Sequence, residues 1–137
     1  YIAGPEGKFY YAFTYGPIRF IVLDSGEDKP DTDVEYSGLV DFDNYILEQK
    51  EWLARELESP EFRAASFRVV LSHIPFGKGS WYGSERLRKQ LLHLLESVRI
   101  DLMISGHNHA FGFMDKGKVT AFTIIVNSNN YVLTMFG

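Results

Sequence analysis

Val69-Val70-Leu71-Ser72-His73 and Ser105-Gly106-His107-Asn108-His109 decide how this chain is read. Each histidine block closes an apolar run, Phe67 to Leu71 in one case and Ile100 to Ile104 in the other. Such runs, rich in branched residues and bounded by polar ones, suit central strands covered on both sides. In open α/β sheets, groups at the carboxyl ends of strands line the ligand crevice. The pattern therefore predicts His73, His107 and His109, three of the chain's four histidines, at one sheet edge. Histidine is the commonest metal-binding side chain, and neutral imidazole suits zinc, iron or nickel. The competing reading is two unrelated turn histidines, hydrogen-bonded and inert. A His-x-His pair directly after a glycine at a strand end favours the metal. Gly106, lacking a Cβ, is read as the sharp turn that lets the imidazoles face inward.

Working outward, Phe9, Tyr11, Phe13 and Tyr15 alternate on one face of a half-buried strand over 9–15. Gly16-Pro17 punctuates it, and Ile18 to Leu23 returns as a hairpin partner. Segment 24–43 holds eight of the eighteen acids and one base, Lys29. These acids are not spaced like an EF-hand loop, so a solvated flexible loop is preferred to a calcium site. Asp41 or Asp43 is the expected N-cap of a helix over 44–58, ended by Ser59-Pro60. Trp52 on that helix reads as core packing rather than a stacking platform. Ser84 is the expected cap of a second helix over 84–98, with Leu87, Leu91, Leu94, Leu95 and Val98 as its core stripe. His93, set among those leucines, reads as structural. Strands are expected near 67–72, 100–105, 111–114, 119–126 and 131–136, with a turn at Lys116-Gly117-Lys118. Residues 74–83 form a Gly-rich loop just past His73 and are the candidate substrate loop. Lys78, Trp81 and Tyr82 are its candidate contacts, with Asn108 from between the paired histidines.

The chain has 137 residues, the size of one domain, and its 45% hydrophobic content with eleven Phe and eight Tyr can fill a sizeable core. A formal charge of -4 offers no basic footprint, so nucleic acid is not favoured as a partner. Without cysteine there are no disulfides or thiolate ligands. No apolar run approaches the length of a membrane span. There is no internal repeat, and no linker divides 1–137.

Leu71-Ser72-His73 resembles the VxxH-type block of the calcineurin-like metallophosphoesterases, and Gly106-His107-Asn108-His109 matches their GHxH block. Phe13 to Ser25 is similar to the family's strand pair ending in Leu-Asp and a small residue. Gln49-Lys50-Glu51-Trp52-Leu53 resembles the QxxWL helix of purple-acid-phosphatase-like members. GHxH alone is a weak signal, but four blocks in order along nearly the whole chain are a strong one. The family's upstream DxH, GDxxD or GDxxY, and GNH[DE] blocks do not occur here.

The resemblance implies an α/β fold: a mixed sheet with two main helices, about half of a four-layer αββα sandwich. It makes residues 1–137 the C-terminal part of such a domain. It implies phosphoester hydrolysis at two divalent or trivalent ions (zinc, manganese or iron). His73 and His107 would hold one ion and His109 the other. The bridging carboxylate, the remaining ligands and the general acid would come from the amino-terminal half of the domain, the expected partner. The chain alone is thus expected to be inactive and to take up metal weakly or not at all. The alternative is a non-catalytic binding or scaffold module that kept the fold. Localisation stays open, with a lean outside the cytoplasm because such relatives are often exported. An apolar sheet face left bare by the absent half is expected to drive formation of a homodimer.

Overall fold

The computed structural model describes residues 7–77 and 81–128. Among the described residues six strands form one mixed sheet in the order β1-β2-β3-β4-β6-β5. β1 (Tyr11–Tyr15) and β2 (Ile18–Leu23) make the expected antiparallel hairpin, with Phe13 opposite Phe20. β2, β3 (Phe67–Ser72), β4 (Leu102–Ser105) and β6 (Thr123–Val126) run parallel, and β5 (Gly112–Met114) closes the sheet antiparallel to β6. The expected strand over 119–126 is shorter than predicted. A turn and a bend occupy 116–122, where the Thr120 hydroxyl donates to the Phe122 carbonyl and Phe122 is buried. The strand expected at 131–136 lies outside the described residues.

α1 (Phe42–Leu57) crosses one face of the sheet and buries Ile46, Gln49, Leu53 and Leu57. Asp41 takes the N-cap position without making a capping bond; Asp31 from the acidic loop accepts from the Asp43 amide instead, at 2.9 Å. That loop is thus more than solvated. Asp33 caps a 3-10 turn at Val34–Tyr36, and Asp24 accepts from the Gly26 amide. Gln49, fully buried, accepts from the Asp24 amide and donates to its carbonyl, both at 2.8 Å. This pair of hydrogen bonds pins the end of β2 to α1. Ser59-Pro60 ends α1 as expected but also starts α2 (Pro60–Ala64), with the Ser59 hydroxyl capping the Phe62 amide.

The second long helix begins earlier than expected and is not uniform. α3 (Tyr82–Leu87) leads through a π-helical turn (Arg88–Leu92) into α4 (His93–Glu96). Ser84 is no cap: buried, it donates to the Pro75 carbonyl at 3.1 Å. Four-residue steps precess on a regular α-helix, and the wider π turn offsets that drift. Leu87, Leu91 and Leu95 accordingly all reach zero exposure. His93 is exposed, in line with its structural reading.

The strand residues of the main core cluster all come from one face: Ile21, Leu23, Val70, Met103, Ile124 and Val126, packed with the leucines of α1, α3 and α4. Trp52 packs against this cluster, its ring 5.0 Å from that of Tyr10. The opposite face carries Tyr11, Phe13, Phe20, Val22, Val69, Leu71, Ile104, Ile125 and Phe113, in register across the six strands of the described residues, with Val69 and Ile125 buried in its middle. No helix among the described residues covers it, and Phe13, Ile104 and Phe113 stay exposed. No helix among the described residues is long and apolar enough to cross a membrane.

Candidate metal centre

His73 leaves the end of β3 and His107 follows β4 by two residues, so parallel pairing of Ser72 with Ser105 puts both at one rim of the sheet. The Gly106 amide donates to the His73 carbonyl at 3.0 Å, which ties the two loops together. His107 Nδ1 then lies 3.2 Å from His73 Nε2, with the rings edge-on at 87°.

The backbone at this point is strained, though not where the sequence pointed. A Cβ built on Gly106 would meet His73 Nδ1 at an ordinary 3.7 Å, so space alone does not demand glycine there. The left-handed conformation falls on His107 (φ 69°) and His109 (φ 55°). The Asn108 amide donates to the Gly106 carbonyl at 2.8 Å, closing a three-residue turn around His107. A γ-turn with positive φ at its centre is rare and strained. Strain of this kind persists where the surroundings over-determine it, and it clusters at functional sites.

Two nitrogens sharing one tetrahedral ion with bonds of about 2.0–2.1 Å stand about 3.3–3.4 Å apart. The observed 3.2 Å fits that spacing. Asp28 approaches the far side of the same ring, its carboxylate oxygen 3.3 Å from His107 Nε2. Because it faces the other nitrogen, it does not converge with His73 on a common point. Among the described residues no group of three or more His, Asp or Glu side chains could hold a metal ion. The structure therefore offers a paired imidazole site, open on its remaining sides.

A cleft of about 860 Å³ surrounds the pair, lined by Asp24 to Asp28, His73, Gly106, His107 and Asn127. On its other side it runs onto the uncovered sheet face through Phe9, Tyr11, Val22, Leu71 and Ile104. His109 is exposed and is not among the residues lining this cleft. Trp81 stands beside the pair, its ring centroid 5.3 Å from that of His107. Tyr82 lines a separate groove with Arg86, Lys89 and Asp43. Asn108 is exposed on the turn, and Lys78 lies outside the described residues. The sequence reading missed Asp28, whose signal, an acidic loop following the Leu23-Asp24 strand end, was diluted by seven other acids.

Residues 3–111 match the family description "Calcineurin-like phosphoesterase". Purple acid phosphatase 23 of Arabidopsis thaliana is 25% identical over 122 residues, covering 83% of this chain and 22% of the relative. Purple acid phosphatase 22 of the same plant is 27% identical over 112 residues, or 76% of this chain and 21% of the relative. The purple acid phosphatase PPD1 isolated from yellow lupin (Lupinus luteus) seeds superposes with a TM-score of 0.63 at 15% identity, covering 92% of this chain and 24% of that one. The chain thus spans about a fifth of the length of the relatives it matches.

Proposed function

The chain belongs to the calcineurin-like phosphoesterase family, and from that premise we propose that it carries the histidine part of a two-metal centre for phosphoester hydrolysis. The observation that carries this reading is the pairing of His107 Nδ1 with His73 Nε2 at 3.2 Å across a strained turn. In the proposed assignment these two nitrogens hold one ion (zinc, manganese or iron), and His109 serves the second. When bound, such ions supply charge neutralisation and Lewis acidity to phosphoryl transfer. The chain's own residues hold and shape. β3 and β4 fix the imidazole pair, the γ-turn directs Nδ1 toward His73, and Trp81 stands beside His107 with ring centroids 5.3 Å apart.

The remaining ligands and the group that protonates the leaving oxygen are proposed to come from sequence outside these 137 residues, across the cleft's open side. Trp81, Asn108 and Lys78 are the proposed substrate contacts. Tyr82, facing another groove, is the weakest member of that set. Calorimetric titration with zinc or manganese tests the assignment: weak uptake is expected, abolished by His73→Ala combined with His107→Ala. Uptake unchanged in the double variant refutes the paired-imidazole site. This chain alone should not hydrolyse an aryl phosphate, and should do so once joined to a segment carrying the DxH, GDxxD/Y and GNH[DE] blocks.

A further inference from the structure

The acidic loop after β2 lines the cleft, and its Asp28 carboxylate approaches the imidazole pair directly. We propose that Asp28 is a positioning residue for His107, holding the ring proton on Nε2 so that the Nδ1 lone pair is presented on the side of His73. The proposal deepens the paired-imidazole reading and rests on it for its purpose, though not for its test.

A neutral imidazole carries one proton on one of two nitrogens, and the group facing the other nitrogen sets which. Here the two sides of His107 differ in kind. Nδ1 faces another imidazole nitrogen at 3.2 Å. Nε2 faces the Asp28 carboxylate, which can only accept, at 3.3 Å. The carboxylate therefore favours the Nε2–H form. Both partners are partly withdrawn from water, at 23% and 36% side-chain exposure, so the preference is not lost to solvent.

The loop is held in place as a positioning group requires. The Arg86 guanidinium is buried and donates to the Glu27 carbonyl at 2.6 Å, one residue before Asp28. Gly83 packs so closely that a Cβ there would lie 2.9 Å from Asp28 Cα and 3.2 Å from the Glu27 carbonyl oxygen. The start of α3 thus both places Trp81 beside His107 and packs against the backbone of Asp28.

Long-range proton–nitrogen NMR on the metal-free chain, with 15N-labelled histidine at pH 8, reads the tautomer directly. His107 is expected as the Nε2–H form, shifting toward Nδ1–H in Asp28→Ala while the far-ultraviolet circular dichroism stays the same. Competition against a zinc indicator should show about 10–100-fold weaker uptake in Asp28→Ala, the usual loss when the partner of a liganding histidine is removed. An Nδ1–H form in the wild type, or a tautomer unmoved by Asp28→Ala, overturns the proposal, as does zinc affinity equal to the wild type. Zinc uptake that persists in the His73→Ala, His107→Ala double variant overturns the metal reading instead, and leaves the tautomer result standing.

Discussion

The two faces of the sheet are made of the same kinds of residue and differ in how fully they are covered. Met103 is fully buried beneath the helices, while Ile104, next to it on β4, is 36% exposed on the other side. The contrast repeats on the hairpin, where Ile21 is sealed and Phe13, opposite Phe20, is open. Continuous apolar strands announce cover on both sides, but a sequence does not say which segment provides each cover. Here α1, α3 and α4 provide one. The candidate centre sits where the two faces meet the carboxyl rim, and its open side is the uncovered one.

The largest expected effect follows from the uncovered face itself. An apolar patch of several hundred Å² is at the limit of what monomers tolerate. At roughly 25 cal/mol per Å², covering such a patch is worth on the order of 10 kcal/mol before the losses of association. For the chain by itself the available occupant is a second copy, joined through a two-fold contact. Sedimentation equilibrium at micromolar concentration should give twice the 15.7 kDa chain mass, reverting to one chain with Ile104→Lys or Phe13→Lys. A monomer at all concentrations would break the comparison, because the open face would then be tolerated as it stands.

The next effect compares neighbours. Met103→Ala should lower stability by about 2–5 kcal/mol, as large-to-small changes in sealed cores do. Ile104→Ala in a monomeric background should stay within about 0.5 kcal/mol. Urea denaturation of both variants measures the difference. Equal losses would mean that the second face is covered after all.

Much of this arrangement was legible in the sequence, for identifiable reasons. The strands at 18–23 and 67–72 emerged with their predicted bounds because branched residues and abrupt polar ends leave little freedom. The histidine blocks were legible because both follow strands that pair in parallel, so register alone brings His73 to His107. What escaped depends on partners distant in sequence. Ser84 looked like a cap, but its hydroxyl is drawn to Pro75. Asp31 caps α1 from twelve residues away, a role no local motif declares. Gly106 was read as a sharp turn for want of a Cβ, and the left-handed backbone of His107 and His109 that follows it is declared by no residue type.

A third, smaller effect probes how the covered face tolerates a polar group. Gln49 is buried among apolar neighbours only because it satisfies both backbone groups of Asp24. Gln49→Leu keeps the volume and strands an amide and a carbonyl, a loss of about 1–3 kcal/mol. The same urea experiment should show it, with the end of β2 exchanging its amide protons faster. If Gln49→Leu were neutral, the two hydrogen bonds to Asp24 would be ornamental and α1 would be held by its apolar stripe alone.

The smallest effect lies where the helix cover thins, at the β1 edge. The ring of Tyr45 on α1 lies tilted against that of Tyr10, and its hydroxyl oxygen accepts from the Phe9 amide at 3.3 Å. Burial pushes its phenol up to about 12, outweighing the opposing pull of that amide bond. An unfolded tyrosine ionises near 10. A raised folded value means the neutral form is favoured by the fold, so the contribution to stability is complete below pH 10 and is lost as pH rises from 10 to about 12. Tyr45 remains partly open to water, which keeps the stability change small. Alkaline titration followed at 295 nm should therefore show a tyrosine ionising near 12 that disappears in Tyr45→Phe. Between pH 10 and 12 the urea midpoint should fall further in the wild type than in Tyr45→Phe. Identical falls would place Tyr45 in solvent, and would move the boundary of the covered face inward from β1 to β2.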